Sequence, residues 1–138
     1  MTIGTLTHYG VKVLLKIEEK NMIFEKKENA APICGEEILI TDASSAVELL
    51  ASARYETDCS AIILHKEQLD ESFFRLSSGL AGEILQKFVN YQMRLAIVGD
   101  FSHYTSKPLK DFIYESNQGS HVGFWPTEEE ALAWLRRS

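Results

Sequence analysis

Short apolar runs alternate with amphipathic segments along most of this chain. Four of the runs, EILITD (37–42), AIILH (61–65), LAIVGD (95–100) and HVGFW (121–125), are bounded by residues that favour turns. A short apolar run between turn residues is typical of a buried strand. The pattern therefore predicts four strands, separated by longer segments of a different periodicity.

Those longer segments carry helical spacing and helix-capping residues. Ser45 can cap the first helix with Glu48 as its reciprocal partner, and Thr127 and Glu130 repeat this capping box at the last one. Pro108 is tolerated in the first turn of the third helix, where no intrahelical hydrogen bond is lost. One apolar stripe runs along the second helix and consists of Leu80, Ile84, Leu85 and Phe88. Helices are thus predicted over residues 45–55, 80–91 and 106–116, and after Thr127.

The N-terminal part of the chain has a different pattern. VKVLLKI (11–17) and MIFEKK (22–27) flank EEKN, which predicts a β-hairpin. The apolar positions of VKVLLKIEEK also fit a helical face, and its β-branched content favours the strand. ENAAPICGEE (28–37) is interpreted as a connection, because Pro32 and Gly35 interrupt regular structure.

Strands that alternate with helices of this length indicate right-handed crossovers and a largely parallel sheet. The prediction is an α/β fold with a mostly parallel central sheet, the N-terminal β-hairpin at one edge, and four main helices. The chain shows no internal repeat, low-complexity segment or linker. We therefore expect one domain over residues 1–138, with a β-rich part (1–36) and an alternating part (37–138).

Composition excludes several classes of protein. The net charge of −6 disfavours a nucleic-acid-binding protein, because phosphate backbones are held by clustered Lys and Arg. No run of about 18 apolar residues is present, so no membrane span is expected. The N-terminus lacks the pattern of a signal peptide, which favours a cytoplasmic protein. Cys34 and Cys59 lack metal-ligand or redox-pair spacing, and both are expected to be buried thiols. No metal and no cofactor are expected.

The predicted strand ends carry polar residues. Asp42, His65 and Asp100 follow three of the strands, and ligands of parallel sheets collect at the carboxyl ends of strands. The alternative is that the aspartates cap the next helix or turn. Ser77, His65 and Asp100 could compose a catalytic triad, but no glycine pattern of a nucleophile elbow accompanies them. No catalytic residue is therefore assigned.

The loop DFSHYTSK (100–107) is the richest polar segment of the chain. It places Ser102, Tyr104, Ser106 and Lys107 just before a predicted helix, whose free amides and dipole can hold an anion. The alternative is a solvated loop with Ser106 as the helix N-cap. The loop is not a P-loop, since it lacks glycines around Lys107.

A serine pair precedes the second predicted helix. Ser77, Ser78 and Gly79 stand in the segment LSSGLAGEILQKF (76–88). One serine is needed as a helix cap, and the other is a candidate for partner binding or for phosphorylation. A phosphate at a helix N-terminus is stabilised by the helix dipole and changes the surface charge by nearly two units. The alternative is two capping or turn serines.

Five segments carry a resemblance to a bacterial family known only as domain of unknown function 4180. They are LITDASSAVELL, RYETDCSAIILHKEQL, SSGLAGEILQKFVNY, LAIVGDFSHYTSKPLKDFIYESNQG and EEEALAWL. The resemblance covers residues from about 37 to 135 and implies no activity.

A weaker resemblance concerns AIILHKEQLDESFFRLSSGLAGEIL, which is similar to the strand, loop and helix of STAS domains of the anti-sigma factor antagonist type. This resemblance implies a STAS-like fold. In that family a partner kinase phosphorylates the first serine of the pair, and phosphorylation releases a bound partner. The matching residue is Ser77, and Leu76 stands where the family has an acidic residue.

Three functional hypotheses follow. The first is a non-enzymatic, STAS-like regulatory module that binds a partner protein through residues 77–82 and the loop after Asp100, with phosphorylation of Ser77 as a switch and a kinase among its partners. The second is a small-molecule or nucleotide-binding protein, in one version an enzyme, with its site at the carboxyl ends of the strands. The third is a homodimer supported by exposed aromatic side chains at Phe101, Tyr104 and Trp125.

Overall fold

The computed structural model describes residues 2–7, 10–17 and 20–137, with side chains from residue 22 onward. Seven strands within these residues form one sheet, and neighbours in the sheet follow the order of the chain. They are β1 (Thr2–Thr7), β2 (Gly10–Ile17), β3 (Lys20–Glu25), β4 (Ala30–Cys34), β5 (Ala61–His65), β6 (Arg94–Val98) and β7 (Val122–Trp125). The described helices are α1 (Ala43–Thr57), α2 (Leu80–Asn90), α3 (Lys107–Gln118) and α4 (Glu128–Arg136).

The direction of pairing changes at β4. Strands β1 to β4 pair antiparallel, and β4 to β7 pair parallel with helices in the connections. The predicted α/β fold with a parallel sheet and an N-terminal hairpin is confirmed, and in the β2–β3 hairpin Leu14 pairs with Ile23. The predicted turn EEKN includes Glu18 and Glu19, which lie outside the described residues.

Two element predictions were wrong. Residues 37–42 are not a strand: Ile40 makes an isolated bridge to Leu69, and the amides of Leu39 and Ile40 donate to the carbonyl of Gln68. The strand next to β5 is instead β4, in the segment interpreted as a connection. Leu39 and Ile40 are buried, which explains the apolar pattern without a place in the sheet.

The predicted helices are present with shifted ends. Helix α1 begins two residues early because Asp42, and not Ser45, is its N-cap. Ser45 is the third helical residue, and its hydroxyl completes the capping box by accepting from the amide of Asp42. Ser106 and Thr127 cap α3 and α4 as expected.

The described side chains pack on both faces of the sheet. Ile62 and Leu64 belong to a large cluster that includes residues of α1, α2 and α3, whereas Ile63 belongs to a smaller cluster with Trp134 of α4. Because successive strand residues point to opposite faces, α4 covers the face opposite to the other three helices. Burial on both faces explains the apolar runs at residues 61–64 of β5 and 95–98 of β6.

The two cysteines differ in exposure. Cys59 is buried as expected, and burial raises the pKa of its thiol. Cys34, at the end of β4, is exposed, so the expectation of a buried thiol was wrong there. Cys34 is the last residue of its strand, where the burial of the preceding residues ends.

Candidate binding groove at the carboxyl ends of the strands

Two loops at the carboxyl ends of β5 and β6 enclose an open groove of about 480 Å³. The first loop contains 3-10 turns at Lys66–Gln68, Glu71–Phe74 and Leu76–Ser78, and the second is residues 99–106. We call the groove between these two loops the carboxyl-edge groove. Of the residues predicted from the sequence, those that line it are Ser77, Tyr104 and Ser106.

Aromatic stacking joins the two loops. The ring of Phe74 is buried and lies parallel to that of Tyr104, with a centroid distance of 5.1 Å and an interplanar angle of 17°. Tyr104 also packs on His103 at 4.2 Å, and the ammonium group of Lys66 lies 5.4 Å from the Tyr104 ring centroid. Offset aromatic pairs and cation–π contacts of this kind each add about 1 kcal/mol to the burial of the rings.

A hydrogen bond reinforces this stack. The phenol of Tyr104 donates to Oε1 of Glu71 at 2.9 Å. Burial, together with this carboxylate, raises the pKa of Tyr104 well above its usual value, so the phenol stays protonated and acts as a donor. Tyr104 therefore fixes the loops relative to each other and is not poised to transfer a proton at neutral pH.

The two serines of the predicted pair have different surroundings. The hydroxyl of Ser78 donates to the carbonyl of Ser72 at 2.7 Å and accepts from the amide of Leu80 at 3.2 Å. Ser77 is exposed in the groove, and its side chain makes no hydrogen bond with the described residues. Gly79 joins the turn to α2 with a φ of 78°, a conformation that favours glycine. Ser78 and Gly79 thus build the turn, and the hydroxyl of Ser77 is available.

The predicted aspartates organise the backbone beside them. Asp42 accepts from the amide of Ser45 at 2.8 Å, and Asp100 accepts from the amide of Ser102 at 2.9 Å. These serines lower the pKa of both carboxyl groups, mainly through the backbone amide at Asp42 and through the hydroxyl at Asp100. Neither Asp42, Asp100 nor Ser102 is among the described residues that line the groove.

His65 and Lys107 also lie outside the lining of the groove as described. His65 is the exposed last residue of β5, and its backbone amide donates to Oε1 of Gln68 at 2.8 Å. Lys107 pairs with Asp111 one turn further along α3 at 2.7 Å, and this partner raises the pKa of Lys107.

The aromatic residues expected to be exposed are half-buried. Phe101 packs edge-on against Phe124 with a centroid distance of 5.5 Å, and Trp125 lies 6.1 Å from Trp134. Tyr104 stacks on Phe74. Each of the three rings therefore packs against another aromatic ring of the same chain. The expectation of exposed aromatics at these positions was therefore wrong.

The groove is suited to binding through hydrogen bonds and apolar contact. The serine and threonine hydroxyls among its described side chains are not hydrogen-bonded to a base, and Ser77, His65 and Asp100 are not hydrogen-bonded to one another. Among the described residues no group of His, Cys, Asp and Glu is arranged to hold a metal ion.

Sequence reasoning missed several residues of the groove, namely Glu71, Phe74, Arg75 and Leu76. It sought polar residues at the strand ends and, within residues 66–79, singled out Ser77, Ser78 and Gly79 as candidates. A signal was present: Asp70 followed by Ser72 favours a tight turn, and Asp70 does accept from the amide of Ser72 at 2.9 Å. The buried Phe74 stands two residues after Ser72 in the sequence.

The family described as "Domain of unknown function (DUF4180)" matches residues 25–135, most of the chain. The chain belongs to this family. The match starts upstream of the expected residue 37 and includes β4, which sequence reasoning had not recognised as a strand. No curated protein sequence matches the chain.

One solved structure is similar, a Thermotoga maritima protein provisionally described as an anti-sigma factor antagonist. It is 16% identical, the alignment covers 83% of this chain and 93% of that one, and the TM-score is 0.42. The likeness expected from the sequence is therefore found, at low identity and with a low TM-score.

None of the described helices combines the length and the apolar character that a membrane span requires.

Proposed function

We propose that this protein is a non-enzymatic regulatory module that binds an exposed segment of a partner protein in the carboxyl-edge groove. One observation carries the proposal: the groove is open and is held in shape by the Phe74–Tyr104 stack and the Tyr104–Glu71 hydrogen bond. A preformed surface loses little conformational entropy on binding. The preformed groove is therefore suited to the recognition of a partner.

The lining of the groove suits a peptide segment. Leu76 and Pro108 offer apolar contact, Tyr104 offers an aromatic anchor, and Arg75 and Ser77 offer exposed polar groups at the rim. Protein interfaces combine an apolar and aromatic centre with a polar rim in this way. A small molecule is instead usually enclosed on most sides.

Phosphorylation of Ser77 would be the switch of this module. The Ser77 hydroxyl is exposed, whereas the hydroxyl of Ser78 is occupied by the turn. A phosphate on Ser77 adds nearly two negative charges to the lining of the groove, which also contains Arg75. The added charge would oppose the binding of an acidic or apolar segment, so a kinase would be a natural partner.

A photo-crosslinking amino acid tests the proposal. It is placed at Ser77, and at Tyr55 as a control, because Tyr55 lies on α1 and is 88% exposed. In lysate of the source cells we expect a defined crosslinked protein from position 77 that is absent from position 55 and is lost when Tyr104→Ala is added. Identical products from both positions would contradict the proposal.

Native mass spectrometry of the gently purified protein is the second measurement. A small-molecule adduct that Tyr104→Ala removes would favour the small-molecule hypothesis instead.

A further inference from the structure

A second pocket, of about 530 Å³, lies at the opposite edge of the parallel sheet. Ala30, Ala61 and Arg94, the first residues of β4, β5 and β6, form one wall. Leu132 and Leu135 of α4 form another. We call this second pocket the amino-edge pocket. It is separate from the groove described above, and nothing in the proposed function uses it.

Arg94 is the distinctive residue of this pocket. Its Nε donates to the carbonyl of Ser120 at 2.6 Å, and Nη1 donates to the carbonyl of Leu135 at 2.9 Å. Its Nη2 is buried and has no acceptor among the described residues. The guanidinium lies over the ring of Trp134, 4.8 Å from the centroid. Two carbonyls and a ring therefore hold the group in place, and one donor is left over.

The positive charge of Arg94 has no matching carboxylate among the described residues. Glu28 is the one acidic residue among the described residues that line the pocket, and its carboxylate accepts from Nε of Arg136 at 2.9 and 3.1 Å. Burial lowers the pKa of Arg94, the direction expected for a partly desolvated cation without a counter-ion. A partly buried cation without a counter-ion is costly, and an anion bound in the pocket would supply the missing negative charge.

The remaining walls indicate the body of the ligand. Leu132 and Leu135 are half-buried and apolar. On another side Asn29 and Ser60 satisfy each other, since Nδ2 of Asn29 donates to Oγ of Ser60 at 2.6 Å and the amide of Ser60 donates to Oδ1 of Asn29 at 3.2 Å. The pocket thus joins one uncompensated guanidinium to apolar walls. Arginine pairs most favourably with a carboxylate or a phosphate.

We propose that the amino-edge pocket binds a small organic carboxylate, with the carboxylate on Arg94 and an apolar body against Leu132 and Leu135. The apolar walls favour an organic acid over inorganic phosphate, which has no apolar part to bury. Arg136 also lines the pocket but is paired with Glu28, so Arg94 is the one cation without a carboxylate partner among the described lining residues, which matches a ligand with a single negative charge.

Nuclear magnetic resonance of the full chain tests this. The probes are benzoate, its neutral analogue benzamide, and inorganic phosphate, and the signals are the Nε–H group of Arg94 and the indole N–H group of Trp134. We expect benzoate to shift both signals in a saturable way and to bind at least about tenfold more tightly than benzamide. No saturable shift with benzoate, equal affinity for benzamide, or equal affinity for phosphate would each overturn the proposal.

Two substitutions locate the site. Leu132→Phe fills the pocket without removing a hydrogen bond of Arg94, and it should weaken benzoate binding at least about tenfold. Leu85→Phe is the matched control, because Leu85 is also a half-buried helical leucine but packs in the other cluster. It should leave the affinity for benzoate unchanged. Equal binding by wild type and Leu132→Phe would place benzoate elsewhere and overturn the assignment.

Discussion

The phenol of Tyr104 donates a hydrogen bond at 2.9 Å to the carboxylate of Glu71, a residue 33 positions earlier in the chain. This bond joins the loop after β5 to the loop after β6. Both loops follow parallel strands, so their separation sets the width of the carboxyl-edge groove. A residue predicted as a binding candidate is thus also a structural link between the two sides of the groove.

Tyr104→Phe removes this bond and keeps the aromatic stack. We expect a loss of about 1 kcal/mol in the free energy of unfolding, because the bond has a charged acceptor but is partly exposed to solvent. Urea unfolding measures it. Tyr114→Phe is the control, since Tyr114 is 68% exposed on α3 and should change stability by less than about 0.5 kcal/mol. Equal losses in the two variants would show that the bond does not contribute.

Stability should decrease in acid because of three carboxyl groups. Asp42, Asp70 and Asp100 each accept hydrogen bonds from a nearby serine, and these bonds lower all three pKa values. A carboxyl group with a lower pKa in the folded state stabilises the fold above its unfolded pKa of about 3.9. That contribution is lost as the pH falls through the lowered folded-state pKa.

The measurement is the urea midpoint of unfolding between about pH 6 and pH 2.5. The triple variant Asp42→Asn, Asp70→Asn and Asp100→Asn cannot titrate at these positions. It should be less stable than wild type at pH 6, and its midpoint should change less with pH. A triple variant with the same pH dependence as wild type would contradict the assignment of acid sensitivity to these groups.

The helices could be predicted from the sequence because their signals are local. Apolar spacing along α2 and capping residues before α3 and α4 lie within a few positions of each other. The sequence predicted a strand at residues 37–42, whereas the structure has the strand at β4. The cause of this difference lies in the tertiary pairing of β4. Pro32 looks like an interruption, yet the antiparallel pairing of β4 with β3 covers Ile33 and Cys34 and does not include Pro32.

The candidate site could be predicted only in part, for a similar reason. Strand-end position singled out Tyr104 and Ser106, which line the groove, because parallel strands end at one edge. The partners Phe74 and Glu71 are distant in sequence, and neither residue type signals a binding site. Arg94 was missed because its role depends on the absence of a nearby carboxylate among the described residues that line its pocket. Single-sequence patterns do not contain that information.

The glycines at positions 82 and 123 should respond in opposite ways to alanine. A Cβ at Gly123 would lie 2.5 Å from Nε1 of Trp125 and 3.1 Å from the ring of Trp134, so Gly123→Ala should cost about 1–3 kcal/mol. Gly82 lies in α2 with open space around it, so Gly82→Ala should stabilise the protein by about 0.5–1 kcal/mol. Thermal unfolding of both variants provides the measurement. A lower melting temperature for Gly82→Ala would contradict the open space assigned to Gly82, and an unchanged one for Gly123→Ala would contradict the close packing assigned to Gly123.

Gln68 is the side chain whose loss should most affect the strand-to-loop junction. It is 1% exposed, its Nε2 donates to the carbonyls of Ile33 and Gly35 at 3.1 and 3.0 Å, and its Oε1 accepts from the amide of His65 at 2.8 Å. Gln68→Leu would leave all three backbone groups without this partner. We expect a loss of about 3 kcal/mol in the free energy of unfolding.

Gln86→Leu is the matched control for Gln68→Leu. Gln86 is exposed on α2 and donates to Asn90 at 2.8 Å, so its replacement should change stability by less than about 0.5 kcal/mol. Hydrogen exchange adds a local measurement. The amide of His65 should exchange faster in Gln68→Leu and at the wild-type rate in Gln86→Leu, because only Gln68 accepts its hydrogen bond among the described side chains. Unchanged exchange at His65 in Gln68→Leu would mean that this bond does not protect the end of β5.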